Sequence, residues 1–319
     1  MINIHEKTLK DLEFFTVLNQ VSEHCITALG KDAVLAILPF SEEEQLMREL
    51  DYVNEYLSSY DNDNRIPNHG FETISKELKL LNIENTYLEV SSLQKIVSIS
   101  ITVNSILKFL RKFEDYYPKL RQYSNNIEVT NVIIEQIDAV VDRFGDIKND
   151  ASPLLSELRK TINKLKGKIN SSFSSALTKY HNLEYLDDIR ESVVDNKRVL
   201  AVKAMYRRKV KGAIMGGSKT GSIVYIEPET TLQHSRELNN LEYEEKEEVI
   251  KILKEVTDYI RLFLPLLKDY QDFLTSIDMI SAKAKYARSM DAILPEFSKD
   301  RSMFLRDAYH PLLYLTNKE

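Results

Sequence analysis

Tryptophan is absent from these 319 residues, cysteine occurs once, and glycine and proline contribute only eight residues each. The lone Cys25 excludes an internal disulfide framework and suits a reducing cytoplasm. Scarce glycine and proline, with 43% hydrophobic and 29% charged residues, disfavour a turn-rich β fold and favour long helices. The start, MINIHEKTLK, lacks the apolar stretch of a signal peptide, and no apolar run approaches the length of a membrane span. The histidines are scattered, with no pair at i, i+4, so the spacing of a helical zinc site is missing. His24 and Cys25 are chain neighbours on a helical stretch, where adjacent side chains diverge, which favours a helix surface over a catalytic dyad.

What is present is helical periodicity. From about residue 7 to 148 the chain reads as successive amphipathic helices, beginning with Leu9, Leu12, Val17, Val21 and Leu29, with Gly30 suited to a left-handed helix end. Ser41 and Glu44 are spaced as a capping box, Pro39 helps to separate two helices, and SSYDNDNRIPNHG reads as a loop. Leu155, Leu158, Ile162, Leu165, Ile169 and Phe173 then recur at steps of three and four, the seam of a coiled-coil-like helix. Ser152 and Pro153 supply its cap and first turn, predicting a helix of roughly 28 residues and about 40 Å. Leu238, Leu241, Val249, Ile252, Val256, Ile260 and Phe263 repeat the pattern, interrupted only by Glu245. Between the two seams Val and Ile alternate, and Asp195-Asn196 sits where a hairpin turn belongs. The predicted architecture is mainly α: a helical core and a long antiparallel two-helix arm tipped by a small β-rich module.

Charge is uneven along the chain. The formal net charge is -6, yet residues 196–222 hold Lys197, Arg198, Lys203, Arg207, Arg208, Lys209, Lys211 and Lys219 without one Asp or Glu. Arg207, Arg208, Lys209 and Lys211 are predicted to crowd a connection at the exposed end of the tip, while Arg198 lies on a strand face. With Lys203 and Lys219 they are the candidate residues for neutralising nucleic-acid phosphates without reading bases. The competing reading is a solvated hairpin whose lysines keep a sheet edge from pairing, and charge alone does not choose between them. Gly216, Gly217 and Gly221 surround Ser218-Lys219-Thr220 and would let backbone approach a phosphate. A nucleotide-binding P-loop needs a different glycine spacing and a following helix, whereas a β-rich stretch follows here. The acid-rich residues 242–248 read as the solvated face of the returning helix.

Several passages carry a family resemblance. KTLKDLEF with TALGKDAVLAILP, RVLAVKAMYRRKVKGAI with TGSIVYIEPET, and ISAKAKYARSM with RDAYHPLL together resemble the second, recombination-suppressing branch of the MutS family, across essentially the whole chain. The resemblance implies a helical core at 1–150, an outgoing lever helix at 151–183, a β-rich clamp at 184–230, a returning lever helix at 231–264 and core helices at 265–319. It places Arg198 and Lys203 on the clamp's strand, Arg207, Arg208 and Lys209 in its basic turn, Gly212 at its glycine and Glu227-Pro228 at its terminal turn. The chain departs from the branch at residues 215–221, where a His-Asp-Gln-Ser-type stretch is usual. It implies duplex or branched DNA as partner, a homodimer of the parent embracing it, no membrane, and a cytoplasmic setting. ATP and Mg are implied for an ATPase domain expected beyond residue 319, while whether a small nuclease domain follows in the parent stays open. The stretch itself is expected to hold no cofactor and to catalyse no reaction. DNA mismatch repair and control of DNA recombination both stay open as the parent's task, the lack of mismatch-domain sequence favouring recombination control. The rival expectation is a scaffold that binds ribosomes, structured RNA or proteins.

Overall fold

The helices follow the apolar periodicity closely. In the computed structural model, which describes residues 4–61, 63–298 and 302–318, they are α1 (Glu6–Asp11), α2 (Phe14–Glu23), α3 (Ala28–Leu35), α4 (Glu43–Ser58), α5 (Ser75–Leu81), α6 (Val90–Lys112), α7 (Pro118–Tyr123), α8 (Val132–Val140), α9 (Pro153–Asn182), α10 (Glu229–Arg261), α11 (Leu264–Ser289) and α12 (Pro311–Lys318). Four strands complete the set: β1 (Leu186–Val194), β2 (Lys197–Lys203), β3 (Gly212–Gly217) and β4 (Ile223–Pro228). The fold is thus mainly α with one small sheet. The chain divides into two units, one of residues 1–139, 143–145 and 254–319, the other of 140–142 and 146–253.

In the first unit α11 is buried along much of its length, with Lys268, Asp269, Asp272 and Arg288 left exposed. It buries Leu267, Tyr270, Phe273, Leu274, Ile277 and Ile280, together with the small Ala282 and Ala284, and α2 to α6 pack against it. Pro265 stands in its first turn, where no hydrogen bond is lost. Its one buried acid, Asp278, is fully enclosed yet well served. Asp278 accepts from the backbone N–H groups of Ile26 (2.9 Å) and Thr27 (2.8 Å) and from the Thr27 hydroxyl (2.7 Å), and pairs with His69 Nε2 at 3.1 Å. Thr27 in turn caps α3 by accepting from Gly30 N at 3.0 Å.

Several local features differ from what the sequence predicts. Gly30 is no left-handed helix end but lies buried inside α3, where an added Cβ would fall 2.2 Å from an Asp278 carboxylate oxygen. Close helix packing, not turn geometry, requires glycine there. The Ser41 capping box does not form: Glu42 stands at the N-cap of α4 and makes no side-chain cap bond. Leu12 leaves the core because Glu13, at φ 53°, breaks the chain between α1 and α2. Contrary to the reading of the sequence, one helix, α6, is by length and composition long and apolar enough to cross a membrane, with 23 residues and a mean hydropathy of 1.3 over its most apolar window. Leu93, Ile96, Ile99, Val103, Ile106 and Leu110 are buried inside the unit, as in the core helix of a folded domain. Burial pushes the Cys25 thiol up to about 11, so it is no nucleophile at neutral pH.

The second unit contains α9, the sheet and most of α10. The Ser152 hydroxyl caps α9 by accepting from Leu155 N at 3.0 Å, as its sequence predicts. The two helices run antiparallel, for partners descend along α10 as they ascend along α9. Ser152 bonds Glu248 (2.7 Å), Arg159 bonds Glu245 (2.7 Å), Lys166 pairs with Glu242 (3.1 Å) and Ser172 bonds the Thr230 carbonyl (3.1 Å). Glu245, the break in the α10 seam, is therefore the partner of Arg159, which also donates to Ile147 O and Asn149 Oδ1. The sheet order is β1-β2-β4-β3, each neighbouring pair antiparallel. Asp195 and Asn196, at φ 49° and 61°, form the two-residue turn between β1 and β2.

Candidate nucleic-acid interface

Sheet topology decides where the basic residues go. β2 and β3 run parallel with β4 between them, so residues 204–211 must cross from one end of the sheet to the other. Apolar and aromatic anchors hold this crossover down. Val210 is buried with Leu200, Val202 and Ile226 of the sheet and with Phe173, Ala176 and Tyr180 of α9. Tyr206 stacks on Tyr185 with ring centroids 4.7 Å apart, and Tyr185 on Tyr180 at 6.3 Å. With Tyr206 and Val210 turned inward, Arg207, Arg208, Lys209 and Lys211 are left exposed. Gly212 receives the chain at the sheet edge, where an added Cβ would sit 2.1 Å from the Glu227 carbonyl oxygen.

The candidate cations fall into distinct environments. Arg207, Arg208, Lys211 and Lys219 have no side-chain partner among the described residues. Lys209 lies 5.6 Å from the ring centroids of both Tyr185 and Tyr206, a cation–π contact that leaves its hydrogen-bond donors open. Arg198 is engaged within the fold: it stacks 4.4 Å over the Phe173 ring and binds Glu191 at 2.6 Å. Lys203 reaches the Glu184 carbonyl at 3.4 Å. Lys197 pairs with the buried Glu227 at 3.2 Å. Lys219 lies in the β3–β4 turn, near the Lys203 end of β2, whereas Lys211 reaches the opposite end of the sheet. The structure therefore gathers Arg207, Arg208, Lys209 and Lys211 on one connection; Lys203 stands where that connection leaves β2, and Arg198 and Lys219 lie outside it.

Sequence reasoning missed Lys179 of α9. It lines a cleft of about 360 Å³ with Lys211, Ser172, Ser175, Glu229 and Thr230. Its signal in the sequence was the absence of acid around it, overlooked because the residue sits in a helix rather than in the β module. Residues 216–220 form no nucleotide loop, since they run through the β3–β4 turn into strand β4 and no helix follows. Ser218 instead closes the turn, its hydroxyl accepting from Ile223 N at 3.1 Å and its N–H donating to Ile223 O at 2.9 Å. Among the described residues no group of three or more His, Cys, Asp or Glu is placed to hold a metal ion.

Fold and site together define a mainly helical protein that displays a cationic crossover on a small antiparallel sheet. The chain is similar to proteins named Endonuclease MutS2. That of Lactobacillus helveticus is 29% identical over 313 residues, 97% of this chain and 40% of the relative. Those of Carboxydothermus hydrogenoformans and Staphylococcus aureus are 29% and 28% identical over 316 residues, again 97% of this chain. The chain spans about 40% of the length of these curated relatives. Their similarity supports a relationship to MutS2-type proteins. No family model matches the chain.

Proposed function

We propose that this chain is part of a MutS-type protein of DNA repair and recombination, and that its β module binds duplex or branched DNA through phosphates without reading bases. The observation that carries this reading is the crossover, where cations crowd one short exposed connection with no acid among them and no carboxylate partner among the described residues. Unpaired surface cations repel one another, and a polyanion relieves that repulsion. The flexible Arg and Lys side chains suit the sequence-independent phosphate backbone better than the fixed pattern of a base edge. The similarity to proteins named Endonuclease MutS2 supports DNA as the polyanion. In this reading the homodimer, ATP hydrolysis with its Mg, and the nuclease activity in the relatives' name belong to longer proteins, and this stretch supplies the grip.

Fluorescence anisotropy with duplex DNA, four-way branched DNA and structured RNA tests the reading. The wild-type chain is expected to bind DNA, and R207A/R208A/K209A/K211A to lose most of that affinity at 150 mM salt, the loss of several phosphate contacts. Tight RNA binding with weak, variant-independent DNA binding would replace this reading with the ribosome or RNA scaffold.

A further inference from the structure

We infer that the DNA surface continues from the crossover along one stripe of α9, where Lys160, Lys164, Lys168 and Lys179 contact the phosphodiester backbone of a duplex. The inference rests on the phosphate-binding reading of the β module and extends its footprint to a helix outside it.

Between Glu157 and Glu184 the chain carries no acidic residue, and α9 holds Arg159, Lys160, Lys164, Lys166, Lys168 and Lys179 in that interval. Two of these cations are engaged, Arg159 with Glu245 and Lys166 with Glu242 of α10. The other four are exposed and have no carboxylate partner among the described residues; Lys179 only lies over the Tyr180 ring, at 5.3 Å. At 3.6 residues per turn these four fall within an arc of about 100°, beside the arc that buries Leu158, Ile162, Leu165 and Phe173. Ser172 and Ser175 share the stripe, so nothing bulky stands between Lys168 and Lys179.

Ordinary solvated helix faces mix charges, because like charges at i, i+4 destabilise a helix. The exposed face of α10 does so, setting Lys246 and Lys251 among Glu244 and Glu247. Lys160, Lys164 and Lys168 make two like-charge i, i+4 pairs in succession, a repulsion that a bound polyanion would relieve. The stripe from Lys160 to Lys179 runs about 28 Å at 1.5 Å per residue. That is about eight base pairs at 3.4 Å each. The cleft shared by Lys179 and Lys211 joins the stripe to the crossover. Glu229 also lines this cleft, with no ion-pair partner among the described residues, so two lysines face one carboxylate. That balance suits a singly charged phosphodiester better than a free phosphate dianion.

Two double variants of equal charge change test the inference: K164A/K168A on the stripe and K246A/K251A on α10, each titrated with a 30-base-pair duplex across a salt series. The stripe variant is expected to lower the slope of log K against log salt by about 1.8, two contacts at roughly 0.9 each, and the α10 variant to leave it unchanged. K179A is expected to weaken binding about threefold, the size of one exposed charge contact, with recovery in K179R. Both doubles insert a good helix former, so thermal unfolding should show no loss of stability. An unchanged slope in the stripe variant, while R207A/R208A/K209A/K211A lowers it, would confine the surface to the crossover and overturn the inference alone. Equal decreases in the two doubles would also overturn it, as a long-range field. No change in any variant, the crossover variant included, would remove the phosphate reading beneath it.

Discussion

The Asp278 cluster and the crossover treat charge in opposite ways. In the helical unit one buried carboxylate receives four hydrogen bonds, from Ile26, Thr27 and His69, and ties loop to helix. In the β unit Arg207, Arg208, Lys211 and Lys219 stand in water with no side-chain partner among the described residues. Burial explains the difference: an unmatched charge in a core costs several kcal/mol, whereas an unmatched surface charge costs little and stays available to a ligand. The first cluster serves stability, and the second is the one we propose for recognition.

The largest effect should come from breaking the first cluster. Asp278→Ala leaves the Ile26 and Thr27 donors and His69 buried without an acceptor, and should destabilise the chain by about 3–5 kcal/mol in urea unfolding. A loss below about 1 kcal/mol would remove Asp278 from the centre of that unit. Acid should erode the same contribution. Burial alone would push the Asp278 carboxyl up, but bonds from His69, Ile26 and Thr27 overrule it and hold the group at about 2, against an ordinary 3.8. Since the folded value lies below the unfolded one, the stabilisation is present above about pH 4 and is lost as pH falls through 2. A shift of this size is worth about 2 kcal/mol. The wild-type excess in stability over Asp278→Asn, measured from pH 6 to 2, should shrink across that window; a constant difference would contradict the assignment. Gly30→Ala drives a methyl into the same carboxylate and should cost about 1–3 kcal/mol.

Arg198→Ala sharpens the contrast within the β unit itself. Because Arg198 is held by Phe173 and Glu191, its loss should lower stability by about 1 kcal/mol and leave the salt dependence of DNA binding in place. A large fall in the salt slope would move Arg198 to the recognition group.

Local signals made much of this legible in the sequence. The α9 seam, its Ser152 cap and the Asp195-Asn196 turn all form as read, because each depends on residues within a few positions. The basic run was equally plain. Long-range partners hid the rest. Gly30 answers to Asp278, and His69, which sits in a stretch that reads only as loop, also reaches Asp278 across 209 positions. Nothing near Arg207 reveals that its connection crosses a sheet, for that follows from β4 inserting between β2 and β3. Arg198 and Arg207 look alike in sequence, and only the contacts with Phe173 and Glu191 separate their surroundings.

The most direct measurement is the salt dependence of duplex binding by the wild-type chain and by R207A/R208A/K209A/K211A. If the four crossover cations each neutralise a phosphate, the slope of log K against log salt should fall by about 3.6 in the variant, roughly 0.9 per contact, with unfolding stability held within about 0.5 kcal/mol. Equal slopes for the two proteins would contradict the account and return the crossover to a solvated surface.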